Sequence, residues 1–369
     1  MRRAKKSNNR VLVIILVVLV IIALILLGWK IIKGNEKPEN TIGQGNTTIN
    51  AVTTPEDEMQ TVEIKEVQIY KGTDRPIAVM IDNHDDARPQ VGLNDAYIVY
   101  EIIVEGGYTR LMAVFKGADL DKIGPIRSAR HYFLDYAMEN DAIYVHYGSS
   151  PQALSDISKY NVNNINGISQ SSSDFWRANG KYSPHDVLTT TEKILKIAEA
   201  KDYRTKSDEE SILNYTADEV TLKDGITADE VYIPYSTSQN VSFTYDKDKK
   251  VYTKYANNKK QTDWVSKEPI QTKNIIITFA ENSTLNDGSG KGRQTLYNTG
   301  KLDGYYITNG KAIKIKCEKD SRNSKTVYKD LEGNEIEVND GNTFIQICPL
   351  NAKVKIEGEE AEEIGNTIQ

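Results

Sequence analysis

The sequence predicts an α+β protein in three parts: an N-terminal transmembrane helix, an α/β domain, and a mainly antiparallel β domain. Three observations lead there. Val11–Trp29 is a run of 19 uncharged, mostly apolar residues. Strand-like and helix-like patterns alternate between residues 66 and 205, whereas short alternating strands without a convincing helix fill residues 229–356.

The basic tail 1–10, "MRRAKKSNNR", precedes the apolar run. At about 1.5 Å per residue, residues 11–29 would span roughly 28 Å, close to the hydrocarbon thickness of a bilayer. Arg2, Arg3, Lys5, Lys6 and Arg10 place the N-terminus in the cytoplasm and everything after Lys33 outside. The expected address is therefore the cell membrane, single-pass, with the membrane as partner through the N-terminal helix. A cleaved signal peptide fits less well, because the run exceeds the usual apolar region and no small-x-small site follows it. With no cysteine before Cys317, an N-terminal lipidated cysteine is excluded. Residues 34–61, rich in Gly, Asn, Thr and Pro, read as a flexible linker.

In the region 66–205, "PIAVMID", "AYIVYEIIV", "TRLMAVFKG" and "AIYVHYG" are β-branched runs bounded by turn residues. Helices are expected at 128–139, with Ser128 as cap, at 151–159, with Ser150 as cap and Pro151 at the first position, and at 190–203, with Thr189 and Glu192 at capping-box spacing. Residues 206–228 form a charged connection. The β domain 229–356 offers "EVYIPYS", "NIIITFA", "GYYITNGKAIKIKC" and "TFIQICPL", and residues 357–369 an acidic tail.

The net charge of −6 understates the acidity of the part beyond the apolar run: the first 33 residues hold seven basic residues and no acid, leaving 39 basic against 52 acidic, a balance of −13. Such a surface repels polyanions, so nucleic acid is not an expected partner and any anion site must be a local pocket. Cys317 and Cys348 lie on two strands of one region, where a disulfide and two buried free thiols are both open readings.

The polar residues of the first region gather at strand ends. Asp82, Asn83 and His84 follow the first strand, Glu101 and Glu105 lie in and after the second, Arg110 starts the third and His146 ends the fourth. Arg88, Arg127, Arg130, His185 and Asp186 complete the set. Ligands of open α/β sheets bind beyond the carboxyl ends of strands. With Ser128 as cap, "IGPIRSARHYF" would put Arg130 and His131 in a first helical turn, where the dipole favours anions, so something negative should lie nearby. It is either a ligand clamped by Arg127 and Arg130, or Glu101 and Glu105 pairing with the arginines inside the fold.

The segments "RPIAVMIDN", "ARPQVGL", "AYIVYEIIVEGGYTRLMAVF", "IGPIRSAR" and "SPHD", in this order, resemble the YerB-like family, built from the N- and C-terminal parts of domain of unknown function 3048. The resemblance runs from about Arg75 to Pro349. It implies an envelope address, since family members are typically attached by a lipid, and it carries no established catalytic activity. His131 stands where similar proteins often carry an acid, and Cys317 where a tryptophan is common.

Other motifs fall short. No histidine pair has metal-site spacing, and "DNHDDA" lacks the glycine and glutamate of a calcium loop, with Ala87 and Leu93 in their places. "DGSGKGR" has Gly292 where a phosphate loop needs Ser or Thr. No cofactor or metal is expected. The sequence thus describes an extracytoplasmic binding or regulatory protein of the bacterial cell envelope. A small anionic or cell-wall ligand would be held by Asn83, Arg88, Glu101, Glu105, Arg110, Arg127, Arg130, His146 and His185; no protein partner is specified. The rival is a hydrolase of peptidoglycan or another envelope polymer working through Glu101, His185 and Asp186.

Overall fold

The computed structural model describes residues 65–357 and the backbone of Glu359–Glu360. The expected membrane span, its basic tail, the linker and most of the acidic tail lie outside the described residues. Among the described residues, no helix is long and apolar enough to cross a membrane.

The first half builds β1 (Ile77–Asp82), β2 (Ile98–Ile103), β3 (Thr109–Phe115), α1 (Phe133–Glu139), β4 (Ile143–His146), α2 (Pro151–Lys159), β5 (Asn164–Asn166), β6 (Trp176–Arg177), β7 (Val187–Leu188) and α3 (Thr191–Ala200). Among the described residues, everything after α3 is strand and loop.

The expected fold class, an α/β domain followed by an antiparallel β domain, is corrected by the strand pairing. Ten strands of a 12-stranded mixed sheet run Val327–Lys329, Lys311–Lys319, Gly300–Thr308, Asn274–Thr284, Thr343–Pro349, β2, β3, β1, β4, β5, with Gln294–Tyr297 beside Asn274–Thr284 and Ile226–Thr227 beside Lys311–Lys319, so the sheet contains strands from both halves of the chain. Thr343–Pro349 lies parallel to β2 on one side and to Asn274–Thr284 on the other. The reason is apolarity on both faces. Every residue of "IVYEII" and of "TFIQICP" is buried, so neither strand can sit at an edge or face water. Residues 206–228 are likewise woven in: Ile212 and Leu213 are buried, Tyr215–Thr216 pairs with Val338–Asn339, and Ile226–Thr227 with Lys311–Ala312.

Strand alternation splits the core in two. Ile77, Val79 and Ile81 face a layer made by α3, through Ile194 and Ile197, and by a seven-stranded sheet, through Val231, Phe243 and Tyr252. Ala78 and Met80 face α1 and α2, through Phe133, Ala137, Ala153 and Ile157. Each fully buried aliphatic side chain contributes about 1.5–3 kcal/mol, so the double-faced sheet dominates stability.

Helix α2 begins as the sequence predicts, with Ser150 Oγ accepting from the Ala153 N–H at 3.1 Å and Pro151 at the first position. Helix α3 is capped one residue later than expected, by Thr190, while Thr189 is buried and its hydroxyl donates to the Asp174 carbonyl. Ser128 caps nothing. Its hydroxyl donates to the Tyr147 carbonyl, and α1 starts only at Phe133. "IGPIR" is extended instead: the Asp82 N–H donates to Pro125 O at 2.8 Å and the Arg127 N–H to Met80 O at 2.9 Å. The segment thereby continues beside β1 where β4, which pairs only with Ile77–Val79, leaves off.

Gly124 permits that passage. Its φ is +142°, and an added Cβ would lie 2.7 Å from the Val187 carbonyl oxygen. Gly124→Ala should lose more than about 1 kcal/mol of stability in chemical denaturation, since both backbone conformation and space oppose it. Because both halves share one sheet, urea unfolding followed by tryptophan fluorescence and by far-ultraviolet circular dichroism should give coincident single transitions.

Candidate functional site

The residues singled out in the sequence do not form one cluster. The sheet separates them by parity. Asp82 and Arg110 lie directly opposite each other across the β1–β3 ladder and share the α1/α2 side with Met80 and Met112. Glu101 alternates with Val99 and Ile103 and points into the opposite layer.

On that second side Glu101 is 0 % exposed. Its Oε1 accepts from Asn83 Nδ2 at 3.0 Å and from the Thr109 hydroxyl at 2.7 Å, and Lys254 Nζ lies 3.1 Å from Oε2. The last contact is an ion pair without hydrogen-bond alignment. Lys254 comes from the strand Val251–Ala256 of the seven-stranded sheet, and burial pushes its pKa down despite the attraction of Glu101. Arg88 continues the network: Nη2 donates to the carbonyl of Asn83 at 2.7 Å and to Gln239 Oε1 at 3.0 Å, and Nη1 pairs with Asp85. Lys254, Thr109 and Gln239 were not singled out in the sequence. The signal for Lys254 was available: in "VYTKYA" it shares the inward face of Tyr252 and Ala256, and a lysine there needs a carboxylate.

The α1/α2 side carries the arginines. Arg130 grips Glu105 with two bonds, Nε to Oε1 at 2.5 Å and Nη2 to Oε2 at 2.8 Å. Arg127 Nε lies 3.0 Å from Asp82 Oδ2, and His185 Nδ1 is 2.7 Å from the same oxygen. Burial would raise the Asp82 pKa, but the His185 hydrogen bond, the charges of Arg110 and Arg127 and the His84 N–H outweigh it and hold it below the usual value. Arg110 is different. It is 6 % exposed, its Nη1 donates to the Ser128 carbonyl, and among the described residues no carboxylate lies within ion-pair distance of it. Burial, reinforced by Arg130, lowers its pKa to about 10 against the pull of Asp82 and Glu105.

The anions expected beside "IGPIRSAR" are therefore Glu105 and Asp82, reached by extended chain and not by a helix dipole. Glu101 pairs with a lysine on the other side of the sheet. Asp186 pairs with Arg177, and His146 spends its ring on Gly148 O at 2.7 Å and Asn164 Oδ1 at 3.2 Å, its pKa pushed down by burial. Glu101, His185 and Asp186 thus have three different partners. Cys317 and Cys348 are both buried free thiols, with Cys317 raised to about 12 by burial.

Glu101→Gln should cost roughly 3–5 kcal/mol, because it leaves the Lys254 ammonium buried without its anion. Lys254→Met added to it should restore part of the loss, whereas Arg130→Gln added to it should be simply additive, since the two pairs occupy opposite sides of the sheet. Stability should also fall with acid. Burial raises the Glu105 pKa, but the Arg130 pairing, the charge of Arg110 and its own backbone N–H together lower it further, so its contribution is complete above about pH 4.5 and is lost as pH falls through the depressed folded value. Melting curves of wild type and Glu105→Gln between pH 7 and 3 should converge at the acid end.

Comparison with known proteins agrees with this architecture. Residues 64–204 match the profile of the N-terminal domain, and residues 231–345 that of the C-terminal domain, described as protein of unknown function (DUF3048). The chain is 32 % identical over 283 residues to the Bacillus subtilis (strain 168) protein described as "Putative lipoprotein YerB", covering 74 % of this chain and 81 % of that one. The crystal structure of the YerB protein from Bacillus subtilis superposes with a TM-score of 0.69 at 30 % identity, over 77 % of this chain and 94 % of that one. With both profiles matched in order and a solved relative sharing the fold, the chain belongs to the DUF3048 family.

Proposed function

We propose that this is an extracytoplasmic binding protein of the bacterial cell envelope, held at the membrane by its N-terminal region, that takes a small phosphate- or carboxylate-bearing envelope ligand on the α1/α2 side of the sheet. The observation that carries this reading is Arg110: a buried guanidinium without a carboxylate at contact distance. Around it Arg127 and Arg130 face only Asp82 and Glu105, so the group holds one positive charge more than its partners neutralise. An anion entering there would supply the missing charge in a poorly hydrated site, where each charge-assisted bond is stronger than in water. The relative's description as a putative lipoprotein supports the address.

A second reading, hydrolysis of an envelope polymer, draws support from the 2.7 Å contact between Asp82 and His185, which would orient an imidazole as a general base. In that reading Asp82, and not Asp186, is the carboxylate that works with His185, and Arg110 would stabilise the developing negative charge.

Thermal shift with inorganic phosphate and with muramyl dipeptide tests the binding reading. Either anion should raise the wild-type melting temperature saturably. Arg110→Gln should abolish that rise without lowering the ligand-free melting temperature, because removing an uncompensated buried cation costs the free protein little. Absence of saturable stabilisation by both anions, or an unchanged response in Arg110→Gln, would sink it. Release of product from purified peptidoglycan, lost in His185→Gln, would favour the second reading.

A further inference from the structure

The turn after β1, "DNHDDA", has the wrong residues for a calcium loop, yet the fold gives it company that its own sequence does not reveal. His185, from the loop before β7, stacks on His84 with ring centroids 4.6 Å apart and planes 16° apart. One ring nitrogen of each histidine and one carboxylate oxygen of Asp86 lie within 4.8 Å of one another. We propose that His84, Asp86 and His185 form a binding site for a divalent transition-metal ion of the zinc type.

The geometry supports it at each ligand. His84 Nδ1 lies 3.4 Å from Asp86 Oδ2. Two ligands bound at about 2.0–2.1 Å to a tetrahedral ion are themselves about 3.4 Å apart. The same Nδ1 accepts from the Asp86 N–H at 3.2 Å, so the ring carries an unshared pair there, and an ion would replace one long hydrogen bond. On His185, Asp82 Oδ2 holds Nδ1 at 2.7 Å, which leaves the unshared pair of the neutral ring on Nε2. A carboxylate on the far nitrogen of a ligating imidazole is the usual support of a metal-bound histidine. Asp82 is fixed in turn by the His84 N–H at 3.1 Å and by Arg127. His84 Nδ1 and Asp86 Oδ2 already stand at that separation, so drawing all three atoms onto one ion requires a movement of roughly 1–1.5 Å of the His84–Asp86 turn, whose Asp86 side chain is 72 % exposed, relative to His185.

The surrounding charges permit a cation. Asp82, Asp85 and Asp86 converge on this turn, while Arg88 is turned to Asp85 and Gln239, Arg127 to Asp82, and Lys181 to the carbonyl of Ala87. Two imidazoles and one carboxylate favour zinc, cobalt or nickel over calcium and magnesium, which prefer oxygen alone. Three protein ligands leave a coordination position open to water or to a ligand atom. The site does not depend on the anion reading, because Arg110 and Arg130 take no part in it.

Untagged, chelator-treated protein, titrated with Co²⁺ and read by its visible ligand-field absorption, and dialysed against Zn²⁺, tests the proposal. One ion per chain is expected, with Zn²⁺ displacing Co²⁺. Asp86→Asn and His84→Gln should each weaken binding at least tenfold, and His131→Gln should leave it unchanged. Asp86→Asn alters an exposed side chain, so it reports on the metal even if a histidine variant folds poorly. Failure of the wild type to bind either ion, or binding unaffected by Asp86→Asn in a protein of unchanged circular dichroism, would overturn the proposal.

Discussion

The parallel pairing of Thr343–Pro349 with β2 is the constraint on which the rest depends. It closes the centre of the 12-stranded sheet, buries both faces of two apolar strands at once, and fixes which side chains of β2 look toward the seven-stranded sheet. Glu101 follows from it. A carboxylate in the middle of a central strand has nowhere to reach water, so it must find a cation in the layer above, and Lys254 is that cation. The Tyr235 hydroxyl shares its one proton between the carbonyl of Glu101 at 3.0 Å and Gln346 Oε1 at 3.1 Å, tying the layer to both central strands. Such a pair adds little net stability over an apolar filling, but it allows one register between the layers.

On the other side of the sheet the charges are less completely matched. Glu105 and Arg130 neutralise each other in a two-bond clamp, and Asp82 is shared between Arg127 and His185. Arg110 is held by β3 at the position opposite Asp82, too far for contact and too buried for water. Folding thus maintains a cation whose desolvation is offset only in part, by the Ser128 carbonyl and by the more distant Asp82 and Glu105.

Much of the first half was legible in the sequence. Its four β-branched runs are strands, and Ser150-Pro151 starts a helix that ends where its pattern ends, at Lys159. Of the internal anions considered for the arginines, Glu105 does pair with Arg130, though beside extended chain and not at a helix N-terminus. What the sequence could not carry was pairing. The alternation in "IVYEII" shows that Glu101 shares a face with Val99 and Ile103, and that in "TRLMAVF" places Arg110 with Met112, but which faces coincide is decided only when the strands align. The expected helix at Ser128 failed for a related reason. Its apolar spacing is real, yet the Ala129 N–H is claimed by Gly148 O at 2.9 Å, a partner 19 residues away that local propensity does not see. The same blindness joined Glu101 to the arginines and separated "TFIQIC" from β2.

The order of strands also sets an order of events. The strand that completes β2 is the last long one of the chain, separated from it by some 240 residues of sequence. While a ribosome is still making residues 116 to 342, β2 has β3 on one side and an open apolar edge on the other. The 12-stranded sheet cannot close until the polypeptide is almost finished, so a nascent chain spends most of its synthesis with an adhesive edge exposed, in a way that a protein of sequential domains would not.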